Sequence, residues 1–258
     1  MASFVSSVRI AAAIAALALV SPAVVAEPLN APCKVADANL SMSGRLDRAA
    51  GKLKRAQALR ILVVGSSSTA GVGASSPVKS YTSRLETELE QRLSGVDVSV
   101  VARGVGGETA VGAEARMIKE IGSSKPDLVI WQIGTNDVYR KVDLDAFRDI
   151  AQRGLAEIAA AGVDVAMLDP QYVPQDEALY APYLSVLQQI SASTGVPIAR
   201  RFEAMKTIAK SGGAAMISGD RLHMNDVGHA CVGAFLAEAL DRKIAPTPPA
   251  MVEAHRPT

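Results

Sequence analysis

The feature that most constrains the fold is an alternation that begins near residue 60 and runs to residue 242. Short apolar runs rich in Val and Ile, at 61–64, 96–101, 128–133, 163–168 and 196–199, are each ended by Gly, Asp or Arg. Between and after them lie segments with helical periodicity, at 80–93, 112–121, 145–161, 176–192, 202–210 and 226–242. Continuous apolar strands separated by helices imply a mainly parallel sheet buried on both faces. The expected architecture is a three-layer α/β/α sandwich around a five-stranded sheet.

A chain of 258 residues that is 49% hydrophobic can bury one sizeable core, so a single main domain is expected over 59–244. Ahead of it, Arg9, an apolar stretch over 10–20 and small residues before Glu27 read as a signal peptide over 1–26, cleaved after Ala26. The apolar stretch is shorter than the roughly 20 residues that span a bilayer. Residues 27–58 form an N-terminal extension in which Leu46, Ala49, Ala50, Leu53 and Ala56 share one face, the pattern of an amphipathic helix docked on the domain. A Pro-rich tail occupies 245–258.

Export places Cys33 and Cys231 in an oxidising compartment. A single disulfide and a plainly buried Cys231 thiol both remain open, because spacing does not give the Cα separation. Loss of residues 1–26, and with them Arg9, leaves 26 Lys+Arg against 26 Asp+Glu. A neutral mature protein carries no electrostatic footprint for nucleic acid, and with the leader removed no stable membrane anchor is expected. Oligomeric state is not readable from the sequence.

In open parallel sheets, functional groups collect where the carboxyl ends of strands lead into loops. There the sequence carries a serine run between Gly65 and Gly71, then Gly106-Gly107-Glu108-Thr109, then Gly134-Thr135-Asn136-Asp137. The serine run alone also suits a helix cap or an anion-binding turn. It lacks the Lys-Ser/Thr of a phosphate loop, and Gly71-Val72-Gly73 lacks the third glycine of a dinucleotide site. The late segment from Asp220 to Asp226 adds an Asp three residues before a His, a spacing that lets Asp220 hold one nitrogen of His223 while the other faces a nucleophile. Asn136 suits either an Asx turn or an amide donor to an oxyanion. His229, on the following helical segment, reads as structural, and His255 as a solvated tail residue. The three His and two Cys show no metal-ligand spacing, so no metal and no cofactor are expected.

Taken in order, these four blocks resemble the SGNH/GDSL hydrolase superfamily, which includes lysophospholipase-like acyl esterases, over about residues 60–240. The resemblance implies a flavodoxin-like sandwich and a serine esterase working through an acyl-enzyme. Position by position, it makes Ser67 the nucleophile, four residues before Gly71, with Asp220 and His223 completing a triad. The oxyanion donors it implies are the amides of Ser67 and Gly107 and the side chain of Asn136. Ser66 stands where the family usually has Asp, leaving Ser68 as the next choice of nucleophile. The expected partner is a small-molecule or glycan ester carrying an acetyl or other short acyl group. O-acyl transfer to a glycan and a non-catalytic carbohydrate- or lipid-binding module are the alternatives. Residues 169–174, with Tyr180 and Tyr183, either shape the acyl or alcohol pocket or form a rigid loop.

Overall fold

The structure is a computed structural model that describes residues 33–212 and 215–245; the expected leader and His255 lie outside the described residues. Five strands form one sheet in which every pairing is parallel: β1 (Ala58–Gly65), β2 (Asp97–Gly104), β3 (Leu128–Gln132), β4 (Asp164–Leu168) and β5 (Ile198–Ala199). Their order is β2-β1-β3-β4-β5, the flavodoxin-like arrangement. Ile61 to Val64 and the whole of β3 are buried, as strands covered on both faces must be.

The nine α-helices of the described residues are α1 (Asp37–Leu40), α2 (Asp47–Ala56), α3 (Tyr81–Arg92), α4 (Ala110–Ser124), α5 (Thr135–Tyr139), α6 (Leu144–Ala160), α7 (Glu177–Thr194), α8 (Arg201–Lys210) and α9 (Asp226–Ile244). The chain steps from β1 to β2 in one direction and from β2 through β3 and β4 to β5 in the other. Right-handed crossovers therefore put α3 on one face and α4, α6 and α7 on the opposite one. Helices α2, α3 and α8 pack with α9, while α4 packs with α6 and α6 with α7. The point where the winding reverses, between β1 and β3, is where such sheets open a crevice at their carboxyl edge.

The segment before β1 is stitched into this body. Leu40, Met42, Leu46, Ala49 and Leu53 are buried in the common core. The carboxylate of Asp164, at the start of β4, accepts from the Arg48 and Ala49 amides at 2.8 and 3.1 Å and so caps α2. Cys33 and Cys231 form a disulfide, which settles the open choice between bridge and buried thiol.

One element differs from the sequence expectation. The last strand covers only Ile198–Ala199, because Pro197 has no N–H to give, although its carbonyl still accepts from Met167 at 2.8 Å. Asn136, left open between an Asx turn and an oxyanion donor, lies in a short helix, α5, entered through Gly134 at φ +99°.

Candidate active site

Residues 66–73 leave β1 in consecutive tight turns: the Ala70 amide donates to the Ser66 carbonyl at 3.0 Å and the Val72 amide to the Ser67 carbonyl at 3.0 Å. No helix follows directly. Gly71 and Gly73, at φ +84° and +93°, stop the helical turn, and α3 begins only at Tyr81.

These turns separate the three serines. Ser66 and Ser68 are buried and point inward. The side-chain carbonyl of Gln132, at the end of β3, accepts from the Ser66 amide at 2.8 Å and lies 3.1 Å from the Ser66 hydroxyl. The same oxygen is 3.3 Å from the hydroxyls of Ser68 and Thr69. Below it the fully buried Arg201 reaches Ser68 Oγ at 3.3 Å and the Asp169 carbonyl at 2.9 Å. Only Ser67 is half-buried and turned outward, with Oγ 3.0 Å from His223 Nε2.

His223 Nδ1 lies 2.6 Å from Asp220 Oδ2. The other Asp220 oxygen accepts from the Leu222 and His223 amides, each at 3.0 Å. Those backbone donors, led by Leu222, together with the imidazole hold the Asp220 carboxyl down at about 2, so it is ionised at any ordinary pH. The loop is closed by an antiparallel bridge between Ile217 and Met224 and by the Asn225 amide donating to Met216. Arg221 adopts a left-handed φ of +63°, and the two carbonyls of this turn are held from outside. Gln171 donates to Leu222 O at 2.5 Å and Gln175 to Arg221 O at 2.7 Å. Gly73 permits close approach here, since a Cβ would overlap the Met224 carbonyl.

The segment after β4 thus serves as a rigid brace. Tyr180 and Tyr183 lie in the core, and Asp169 is buried with its carboxylate accepting from the Phe202 amide at 2.9 Å. Burial pushes the Asp169 carboxyl up to about 7. His229 is buried too, with Nδ1 accepting from the Tyr81 amide and Nε2 donating to the Val72 carbonyl, both at 3.1 Å. Held this way it is a neutral imidazole that clamps the serine turn, and burial lowers its pKa.

The loop after β2 carries Gly107 at φ +74°, a conformation that favours glycine. The Val105 amide ties this loop to Gly65 at 3.0 Å, and the Asn136 side-chain amide donates to the Glu108 carbonyl at 2.7 Å. Next to Asn136, the buried Asp137 carboxylate accepts from the Ala110 amide at 3.0 Å and caps α4. Burial raises the Asp137 pKa. An Arg140 nitrogen is 3.1 Å from the Gly107 carbonyl.

Gln132 and Arg201 were not singled out in the sequence, Asp137 and Gln171 fell within segments noted for other reasons, and His229, read as structural, is so. Gln132 and Arg201 did carry a signal, as polar residues directly at the end of one apolar run and after another. Among the described residues no helix is long and apolar enough to cross a membrane, and no group of three His, Cys, Asp or Glu side chains is placed to hold a metal ion.

A flavodoxin-like sheet with a serine, a histidine and an aspartate in relay at its carboxyl edge defines a class, the serine hydrolases of the SGNH/GDSL type, which are carboxylic ester hydrolases. Within that class, the sequence profile of the Non-GDSL lipase-like family matches residues 32–246, and the chain belongs to that family. It is similar to an acetylxylan esterase of Geobacillus stearothermophilus, 26% identical over an alignment of 157 residues that covers 55% of this chain and 72% of the relative. It shares its fold with a two-domain esterase active on acetylated mannans, at a TM-score of 0.66 and 21% identity, over 85% of this chain and 59% of that one. The chain thus spans about three fifths of that esterase. A lipase/acylhydrolase from Enterococcus faecalis has a TM-score of 0.62 and 24% identity, over 74% of this chain and 99% of its own length.

Proposed function

We propose that the protein is an exported serine esterase that removes acetyl or other short acyl groups from a carbohydrate, with Ser67, His223 and Asp220 as its triad. The observation that carries this reading is the relay itself, 3.0 Å from Ser67 Oγ to His223 Nε2 and 2.6 Å from His223 Nδ1 to Asp220 Oδ2. His223 Nε2 takes the Ser67 proton as Oγ attacks the ester carbonyl. The amides of Ser67 and Gly107 and the Asn136 side chain receive the developing oxyanion. His223 then protonates the departing sugar oxygen as its bond to the acyl carbon breaks, and water, activated by the same imidazole, releases the acid and restores Ser67. Asp220 holds Nδ1 protonated and stabilises the imidazolium.

The acetylxylan esterase relative supports the substrate class. The Cys33–Cys231 disulfide supports export through the expected leader over 1–26, since such bonds persist in oxidising compartments.

Acetate release from acetylated xylan and mannan, together with nitrophenyl esters of increasing chain length, tests the reading on wild type and Ser67→Ala. Activity falling with chain length and lost in a folded Ser67→Ala variant is expected. Acetyl appearing on an added saccharide would indicate acyl transfer, and a wild-type protein inert to every ester would indicate a binding module.

A further inference from the structure

The three oxyanion donors come from three different strand ends, and a hole works only if their spacing is held. One ion pair touches all three segments. Arg116, on α4, grips Glu108 with both arms of its fork, Nε to Oε1 at 2.8 Å and Nη2 to Oε2 at 2.6 Å. The same Nη2 lies 3.2 Å from the Gly65 carbonyl, two residues before Ser67, and 2.9 Å from the Arg103 carbonyl at the end of β2. Glu108 follows Gly107 directly, and its carbonyl is the acceptor of Asn136 Nδ2.

Both side chains are largely withdrawn from solvent, at 18% and 9% exposure, so the pair is not a loose surface contact. Gly112 leaves the room for this packing, because a Cβ there would come within 2.7 Å of Glu108 Cγ. Arg103 and Arg116 also share Glu120, at 2.9 and 3.8 Å, which keeps a carboxylate beside the guanidinium.

We infer that the Arg116–Glu108 pair sets the spacing of the oxyanion hole, making both of them positioning residues for ester cleavage. The inference rests on the serine-esterase reading above. Lys in place of Arg116 keeps the charge, but a single ammonium cannot span the two-oxygen grip on Glu108 and both strand-end carbonyls.

The test compares wild type with Arg116→Gln, Arg116→Lys and Glu108→Gln, with Arg153→Gln as the control, because it breaks the Arg153–Glu114 pair that links α6 to the helix carrying Arg116. Active-site concentration is set by fluorophosphonate titration, and kcat, KM and the labelling rate of Ser67 are measured. Displacing the donors is expected to lower kcat and the labelling rate about 10- to 100-fold at nearly constant KM. Arg116→Lys falls between, and Arg153→Gln matches wild type.

In an Asn136→Ala background, Arg116→Gln should cost far less than it does alone, since both act through one hole. Glu108→Gln, which keeps a hydrogen-bonding side chain, supplies the reading if Arg116→Gln does not fold. Wild-type kcat and labelling per folded molecule in both Arg116→Gln and Glu108→Gln, or full multiplicativity with Asn136→Ala, overturns the inference while leaving the esterase reading intact. A wild-type protein that neither hydrolyses esters nor labels overturns the esterase reading, and the inference with it.

Discussion

Replacing Gln132 by Met removes the acceptor on which the serine turn converges while nearly preserving volume. Gln132 is 3% exposed, so water does not replace the lost oxygen. Thr69 keeps its bond to the Tyr81 hydroxyl at 2.7 Å, whereas Ser68 keeps only the Arg201 donor and loses its acceptor. The loss therefore falls on the buried Ser66 amide and hydroxyl, at 2.8 and 3.1 Å from Gln132, and on the Ser68 hydroxyl at 3.3 Å. Stranding a buried donor costs about 1–3 kcal/mol, so the three together cost about 3–6 kcal/mol after partial relaxation. Because Ser67 follows Ser66 directly, a shift of that amide also spoils the 3.0 Å contact with His223, and a fall in kcat of about 10- to 100-fold is expected. Urea unfolding followed by circular dichroism, run beside ester hydrolysis, reads both quantities. A lower midpoint at unchanged slope is the expected form. Gln132→Glu, which keeps an oxygen for Ser66, should retain more activity than Gln132→Met. Stability within about 0.5 kcal/mol of wild type together with unchanged kcat in Gln132→Met would refute the account of the turn.

Three further outcomes are expected. Asp220→Asn should lower kcat by about 10³- to 10⁴-fold with little change in KM. The wild-type acid limb cannot come from Asp220, whose carboxyl titrates at about 2 and stays charged well below the range of the assay. Asp169, raised by burial to about 7, keeps its proton in the folded state after the unfolded chain has lost it, so its contribution weakens stability as pH rises from about 4 to 7 and then levels off. Asp169→Asn, which still accepts from Phe202, should therefore gain on wild type in denaturation midpoint between pH 5 and pH 8; parallel curves would contradict this. The Cys33–Cys231 bond closes a loop with a sequence separation of 198, so the Cys33→Ala/Cys231→Ala double variant should lose about 2–5 kcal/mol in urea titrations while the folded fraction keeps its kcat.

The sheet was legible because its strands are buried on both faces, which forces unbroken apolar runs such as 61–64 and 128–133. The pairing of Asp220 with His223 was legible because both lie on one short turn. Other parts depend on contacts far apart in sequence. Nothing near the serine run shows that Gln132, 66 residues after Ser66, turns Ser66 and Ser68 inward. The braces from Gln171 and Gln175 fall on carbonyls, which leave no mark in sequence. The same holds for Arg116, whose helical segment reads as an ordinary amphipathic surface until its four contacts are seen.

The central claim is that one hydroxyl of three consecutive serines is the nucleophile. Treating the full-length protein with a fluorophosphonate and locating the adduct by peptide mass spectrometry tests it most directly. Modification at Ser67 alone, lost in His223→Ala, is the expected result, because Ser66 and Ser68 are buried against Gln132. An adduct on Ser66 or Ser68, or labelling that survives in Ser67→Ala, would contradict the account.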